Sequence, residues 1–383
     1  MGSGNRNHWL RDCHANWRAG TPSLCGWLCV KSGLSRTSAL IGAAVAATAT
    51  VWAVRKAQQG ESKWVEVPGD EEPRSASSPE IHFGTTQWFT TSDGVRLFVE
   101  VVEPVDRTDD CVTVVLVPGY GIDHTVFAPL VHELRDLDRI LLFDRRGHGD
   151  SDPGDVASYS LDRLAQDLEE VISEFANADP VVVVAHSLGG MEVLQLAGRS
   201  PALFGSLIRG LVLVSTAASV GHQNEFVSAR PIGQAVHHLA QPVATMLMMH
   251  PEISQPSSAS QSLVGALADH YFFGSHSAKQ SIQQTVAMLE KVSPDVLAAM
   301  VPIFESLDLR AHALALQGVE VAIVVGEQDR VTPASLSLEL HELIPQATLT
   351  VVPHTGHMVM VEAPDELVAQ VRNVINHVQL GDA

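Results

Sequence analysis

Cysteine is scarce in this chain. There are four in 383 residues, and Cys13, Cys25 and Cys29 all precede residue 30. The fourth, Cys111, begins an apolar run. That distribution excludes a disulfide framework, and no pair has the spacing of a metal site. Basic charge is also short: 24 Lys and Arg against 44 Asp and Glu give a net charge of −20. Residues 1–63 alone carry +6, leaving −26 for the rest. So acidic a body repels polyphosphate and argues against a nucleic-acid partner. Neither a dinucleotide-binding nor a P-loop glycine pattern occurs, and there is no internal repeat. Nothing in the sequence calls for a cofactor or a metal.

The first 80 residues differ in kind from the remainder of the chain. Residues 1–37 form a basic leader. Ser38–Val54 is uncharged over 17 residues and bracketed by Arg36 and Arg55-Lys56. It is rich in alanine and sits at the lower length limit for crossing a bilayer. The leading expectation is a membrane anchor, which would make the protein membrane-associated. A cleaved export signal comes second and a soluble helix third. The acid-poor leader also faintly resembles an organelle transit peptide. Basic residues on both sides leave the orientation open, although the leader suits a cytoplasmic or anionic-lipid surface. Cys25 and Cys29 are candidates for acylation there. Residues 55–80 read as a linker, rich in Glu, Pro and Ser from residue 61 onward.

Beyond residue 80, strand and helix patterns alternate. Gln87–Thr91 and Val95–Val102 form an expected hairpin around Ser92-Asp93-Gly94. Strands are expected at Val112–Val117, from Ile140, from Val181, at Ile208–Ser215, from Val321 and at Thr348–Val352. Leu161–Ala176 has helical periodicity, with Ser160 as N-cap. Such alternation implies an α/β fold, a mostly parallel sheet covered by helices on both faces. Residues 81–215 and 310–383 would be the two parts of the core. Residues 216–309 break the rhythm and contain Met246-Leu247-Met248-Met249 and Tyr271-Phe272-Phe273.

The densest signal is Val181-Val182-Val183-Val184-Ala185-His186-Ser187-Leu188-Gly189-Gly190. A β-branched run stops abruptly and a helical pattern begins at once, with Ser187 at the apex. Such a turn strains the serine backbone, so the residues two before and two after must be small. Ala185 and Gly189 are. This resembles the nucleophile elbow of the α/β-hydrolase family, with Ala185 where Gly is usual. In that family an acid and then a histidine follow the serine. Val321–Val325 leads into Gly326-Glu327-Gln328-Asp329, which makes Asp329 the expected acid and Glu327 its competitor. Pro353-His354-Thr355-Gly356-His357 comes after the last strand. Gly356-His357, with Glu362 and Pro364 beyond, resembles the family's histidine loop and favours His357 over His354. Pro118-Gly119-Tyr120-Gly121 resembles the family's oxyanion loop, with Pro118 in place of His. The resemblance implies oxyanion donors at Tyr120 N–H and Leu188 N–H. Asp144-Arg145-Arg146-Gly147-His148-Gly149-Asp150-Ser151 resembles another family turn. There Asp144, Arg146 and Ser151 are expected to hold the loop by local hydrogen bonds, and His148 to line the pocket.

The resemblance implies a serine esterase or lipase-like hydrolase acting through an acyl-enzyme. Residues 216–309 would be a helical cap between core strands. An apolar cap and an anchor favour a small-molecule acyl ester, lipid-like in character. The same scaffold serves thioesters, amides, lactones, carbon–carbon bonds and perhydrolysis. Epoxide hydrolases and haloalkane dehalogenases place Asp where Ser187 stands. A relative that binds a ligand with weak catalysis is the alternative of another class.

Overall fold

The computed structural model describes residues 82–105, 107, 111–136, 138–176, 179–219, 258–275 and 278–381. The leader, the candidate anchor at 38–54 and the linker lie outside these residues, as does Met246–Met249. Eight strands build one sheet: β1 Thr85–Thr90, β2 Arg96–Val102, β3 Thr113–Val117, β4 Arg139–Phe143, β5 Val181–His186, β6 Ile208–Val214, β7 Glu320–Gly326 and β8 Thr348–Val352. Their order is β1-β2-β4-β3-β5-β6-β7-β8. β1 and β2 pair antiparallel, β2 meets β4 antiparallel, and every later neighbour is parallel.

The helices are α1 Ala128–Leu134, α2 Leu161–Phe175, α3 Leu188–Arg199, α4 Ser258–Phe272, α5 Lys279–Lys291, α6 Pro294–Glu305, α7 Ala334–Leu343, α8 Val359–Glu362 and α9 Pro364–Leu380. α2 starts where its cap predicts: the Ser160 side chain accepts the Arg163 N–H at 3.2 Å. The central strands β3 to β7 are apolar almost throughout because both their faces are covered, whereas β1 at the edge is exposed. Val115, Val117, Val181 and Val183 pack with Leu164, Leu168 and Val171 of α2 and Leu194 of α3. Val114, Leu116, Val182 and Val184 point the other way, onto Leu130 of α1 and Leu367, Val371 and Val374 of α9. Val181 to Val184 are each 0% exposed, and each such burial is worth about 1.5–3 kcal/mol.

This order puts a topological switch between β3 and β5. The chain leaves β3 for β4 on one side, and leaves β5 for β6 on the other. Their connections diverge at the carboxyl ends, the position of the ligand crevice in α/β sheets. The loop after β3 and the turn after β5, which carry Tyr120 and Ser187, both lie there. Between β6 and β7 the described residues hold α4, α5 and α6 and no strand, with one isolated bridge pairing Ser219 and Asp308. No helix among the described residues is long and apolar enough to cross a membrane.

Candidate active site

Ser187 joins β5 to α3 with φ 52° and ψ −115°. A non-glycine residue held there stores strain of roughly 1–3 kcal/mol. The turn is kept by its surroundings. Ser187 N–H donates to Val214 O of β6 at 2.9 Å, and Thr216 Oγ1 donates to Ser187 O at 2.7 Å. Gly189 is required by close approach. A Cβ there would stand 2.6 Å from Val117 O and 2.8 Å from Pro118 O. At Gly119 it would stand 2.6 Å from His186 Nδ1 and 3.2 Å from Ser187 Cβ. The loop after β3 therefore runs directly against the serine.

Asp329 and His357 are brought into contact. His357 Nδ1 lies 2.9 Å from Asp329 Oδ2, with both side chains buried. A carboxylate only accepts, so Nδ1 carries the proton and Nε2 keeps its lone pair. The other oxygen, Oδ1, accepts Val331 N–H and Thr332 N–H, each at 2.8 Å. Thr332 Oγ1 sits 2.8 Å from Oδ2 and 3.3 Å from His357 Nδ1. Glu327 is exposed and instead accepts His354 N–H at 3.1 Å. His354 is exposed too, with φ 59°. Asp329 and His357, the two preferred residues, are the pair that meet.

His186 ties this pair to the serine. Its ring centroid lies 4.7 Å from that of His357, and its Nε2 donates to His357 O at 3.1 Å. Burial, followed by the nearby His357, pushes its pKa well below the ordinary imidazole value, so His186 stays neutral. The His357 loop is seated on the end of α4: His357 N–H and Met358 N–H donate to Phe272 O at 2.8 and 3.2 Å. Glu362 accepts Gly356 N–H at 2.9 Å and Gly274 N–H at 2.7 Å.

A family model described as the alpha/beta hydrolase family matches residues 114–371. The chain belongs to the alpha/beta hydrolase family. It is 25% identical over 272 residues to the karrikin insensitive 2 receptor CA of Petunia hybrida, covering 69% of this chain and 92% of that protein. It is 21% identical over 297 residues to the proline iminopeptidase of Saccharolobus solfataricus, covering 74% and 90%. Among solved structures, an esterase from Exiguobacterium antarcticum aligns with a TM-score of 0.62 and 19% identity, covering 76% of this chain and 99% of that one. That last likeness is one of fold.

The loop of this α/β hydrolase that holds Tyr120 is gripped from several sides. Arg145 donates from Nη1 to Gly119 O at 2.8 Å and from Nη2 to Pro118 O at 2.7 Å. Its Nε pairs with Glu192 on α3, with both side chains almost fully buried. His148 Nε2 accepts Gly121 N–H at 3.1 Å, and its Nδ1 donates to Arg146 O at 3.1 Å. Burial and the Arg145 charge push His148 down to about 3, so it is neutral and fit to accept. The Tyr120 hydroxyl donates to Leu297 O of α6 at 2.8 Å, and its ring meets Phe304 edge-on at 5.4 Å. Tyr120 N–H and Leu188 N–H have no hydrogen-bond partner among the described residues.

Two expectations need correction. Asp144 does act locally, its Oδ2 accepting Asp150 N–H at 2.9 Å, but its other oxygen and the Arg146 side chain reach beyond the turn. Asp144 accepts His124 N–H at 2.8 Å and faces His124 Nδ1 at 2.9 Å, while Arg146 binds Asp167 and Asp93. Ser151 is a second local brace, donating to Asp144 O at 2.6 Å. His148 is 1% exposed and bonded through both nitrogens, so it holds the loop from behind instead of lining a pocket. Sequence reasoning missed Arg145, Glu192, His186 and Thr332. Glu192 did leave a signal. It is the lone charge in Leu188–Ala197, a stretch of α3 that is apolar apart from Gln195. A carboxylate in so buried a helix needs a buried cation.

Proposed function

We propose that this chain is a serine hydrolase that cleaves small acyl esters through an acyl-enzyme on Ser187. The observation that carries the reading is the His357 Nδ1 to Asp329 Oδ2 hydrogen bond beside a serine held at positive φ. With its proton fixed on Nδ1, His357 accepts the Ser187 hydroxyl proton at Nε2 as Oγ attacks the ester carbonyl. The carbonyl oxygen becomes an oxyanion, to which Tyr120 N–H and Leu188 N–H donate. His357 then returns the proton to the departing alcohol. Water attacks the acyl-enzyme by the same route, and the acid leaves.

Apolar side chains near the loop favour an apolar acyl group. A Cβ at Gly121 would meet Leu289 at 2.5 Å and Leu297 at 3.7 Å. Phe304 borders Tyr120, and Phe272 lies 6.3 Å from His357. The reading takes residues 216–309 as a cap over this crevice. A membrane-held location through residues 38–54 belongs to the proposal on sequence grounds alone. Pelleting of the full chain with membranes after a high-salt wash tests it, and a full chain left in the supernatant removes it.

The test of the function is labelling by a fluorophosphonate probe, with turnover of p-nitrophenyl esters of graded acyl length. Ser187-dependent labelling and turnover support the reading. A folded protein that neither labels nor turns over refutes it. The likeness to a protein named as a receptor favours a second reading, a ligand-binding relative with weak catalysis. That reading predicts saturable binding of a small ligand with no labelling.

A further inference from the structure

A backbone donor is useful to an oxyanion only if it is aimed. Leu188 N–H is aimed by the helix it begins. Tyr120 N–H belongs to a loop, where a peptide can rotate. In a planar trans peptide the C=O and N–H point in opposite directions. Whatever holds Gly119 O therefore sets the direction of Tyr120 N–H, because both belong to one peptide unit. The group that holds Gly119 O is Arg145 Nη1, at 2.8 Å.

We propose that Arg145 is the positioning residue of the oxyanion site. The inference rests on the hydrolase reading above. The guanidinium fork holds two successive carbonyls, those of Pro118 and Gly119, so it fixes the plane of the peptide as well as one atom. Its positive charge also polarises the Gly119–Tyr120 unit and strengthens its N–H as a donor. The third bond, from Nε to Glu192, reaches the second turn of α3, the helix that begins at Leu188. Both oxyanion donors are thereby referred to one buried ion pair. Stability alone is a weak reason for such a pair, since an apolar pair of similar volume does as well or better. A polar frame for two carbonyls beside a serine is a better reason.

The test compares wild type with Arg145→Lys and with the double variant R145M/E192M. Lysine keeps the charge and loses the fork. The double variant removes both partners, so no buried carboxylate is stranded. For each protein that melts cooperatively, kcat and KM are measured on one p-nitrophenyl ester. The inhibition constant of a trifluoromethyl ketone with the same acyl chain is measured alongside. The ketone forms the tetrahedral oxyanion, whereas KM reports the planar substrate.

The expected result is a fall in kcat of about 30- to 100-fold, near the low end of losing one oxyanion donor. KM should stay within about threefold, and ketone affinity should fall by the same factor as kcat. A folded R145K with unchanged kcat and unchanged ketone affinity overturns the role. So does a parallel loss in KM and ketone affinity, which would mark general damage to the fold. The two readings separate on wild type. If wild type neither labels with fluorophosphonate nor turns over, the hydrolase reading falls and the role with it. If wild type labels and the variants match it, the role alone falls.

Discussion

Replacing Asp329 with Asn changes the charge and almost nothing of the shape, and the structure dictates which way the new amide must lie. Oδ1 accepts two buried backbone N–H groups, Val331 and Thr332, each at 2.8 Å. Putting the amide NH2 there would set donors against donors and leave both unsatisfied, at roughly 1–3 kcal/mol each. Putting it at the Oδ2 position confronts only the His357 side and the Thr332 hydroxyl. His357 can answer by changing tautomer, and the Thr332 hydroxyl can accept. The second arrangement wins by a few kcal/mol.

The consequence falls on the chemistry. His357 then accepts at Nδ1 and carries its proton on Nε2, the nitrogen that takes the Ser187 proton in the proposed mechanism. Turnover should fall by about 10⁴, as wrong-tautomer substitutions of this kind do, equivalent to roughly 5 kcal/mol in the barrier. Stability should change little, because every buried donor keeps an acceptor. Ester kcat/KM and the rate of fluorophosphonate inactivation read the first effect, and thermal melting reads the second. Glu327→Gln is the control and should stay within about threefold, since Glu327 is exposed and binds only the His354 N–H in the described contacts. A folded Asn variant within tenfold of wild type would refute the reasoning.

Ser187→Ala should lose at least about 10³ in kcat with its fold intact, and His357→Ala should match it, because such residues act as a unit. His354→Ala should be much milder, and equal losses at His354 and His357 would contradict the assignment. Glu362→Gln leaves one acceptor where Gly356 N–H and Gly274 N–H each need one. It should cost about 1–3 kcal/mol of stability, read as a lower urea midpoint; an unchanged midpoint would count against the clamp. His124 supplies a pH test. Burial opposes its charge, but Asp144 beside it raises its pKa to about 9. A value above the unfolded 6.5 means the stabilisation is complete below pH 6.5 and is lost as pH rises through 9, by about 3 kcal/mol at most. His124→Gln should therefore flatten the alkaline fall in urea stability, and parallel curves for the two proteins would exclude it.

The sheet was legible because its constraints are local and periodic. A buried parallel strand must be apolar on both faces, and Val181–Val184 and Val321–Val325 can be nothing else in a chain of this length. Ser160 named the start of α2 through its own side chain. The flanking residues that the family resemblance supplied also singled out Asp329 and His357, which the structure brings within 2.9 Å of each other, over Glu327 and His354. The strand edges moved by a residue or so, as at Val112, which precedes β3. Terminal residues depend on hydrogen bonds that the pattern does not carry.

The supports of the site were not legible, for a reason the distances make plain. Arg145 meets Pro118 and Gly119 across 27 and 26 residues and Glu192 across 47. No periodicity links positions so far apart, and an Arg-Arg pair in a turn does not reveal which guanidinium faces inward. Arg146 looked like the local brace and turned out to bind Asp93 and Asp167, 53 and 21 residues away. Yet both arginines are buried beside carboxylates, and buried charge is costly unless paired. In a body of net charge −26, whose carboxylates far outnumber its cations, a carboxylate within an apolar helix must compete for few partners. Glu192 was the one position where that competition could be read in advance, and it points to the guanidinium that frames the proposed oxyanion loop.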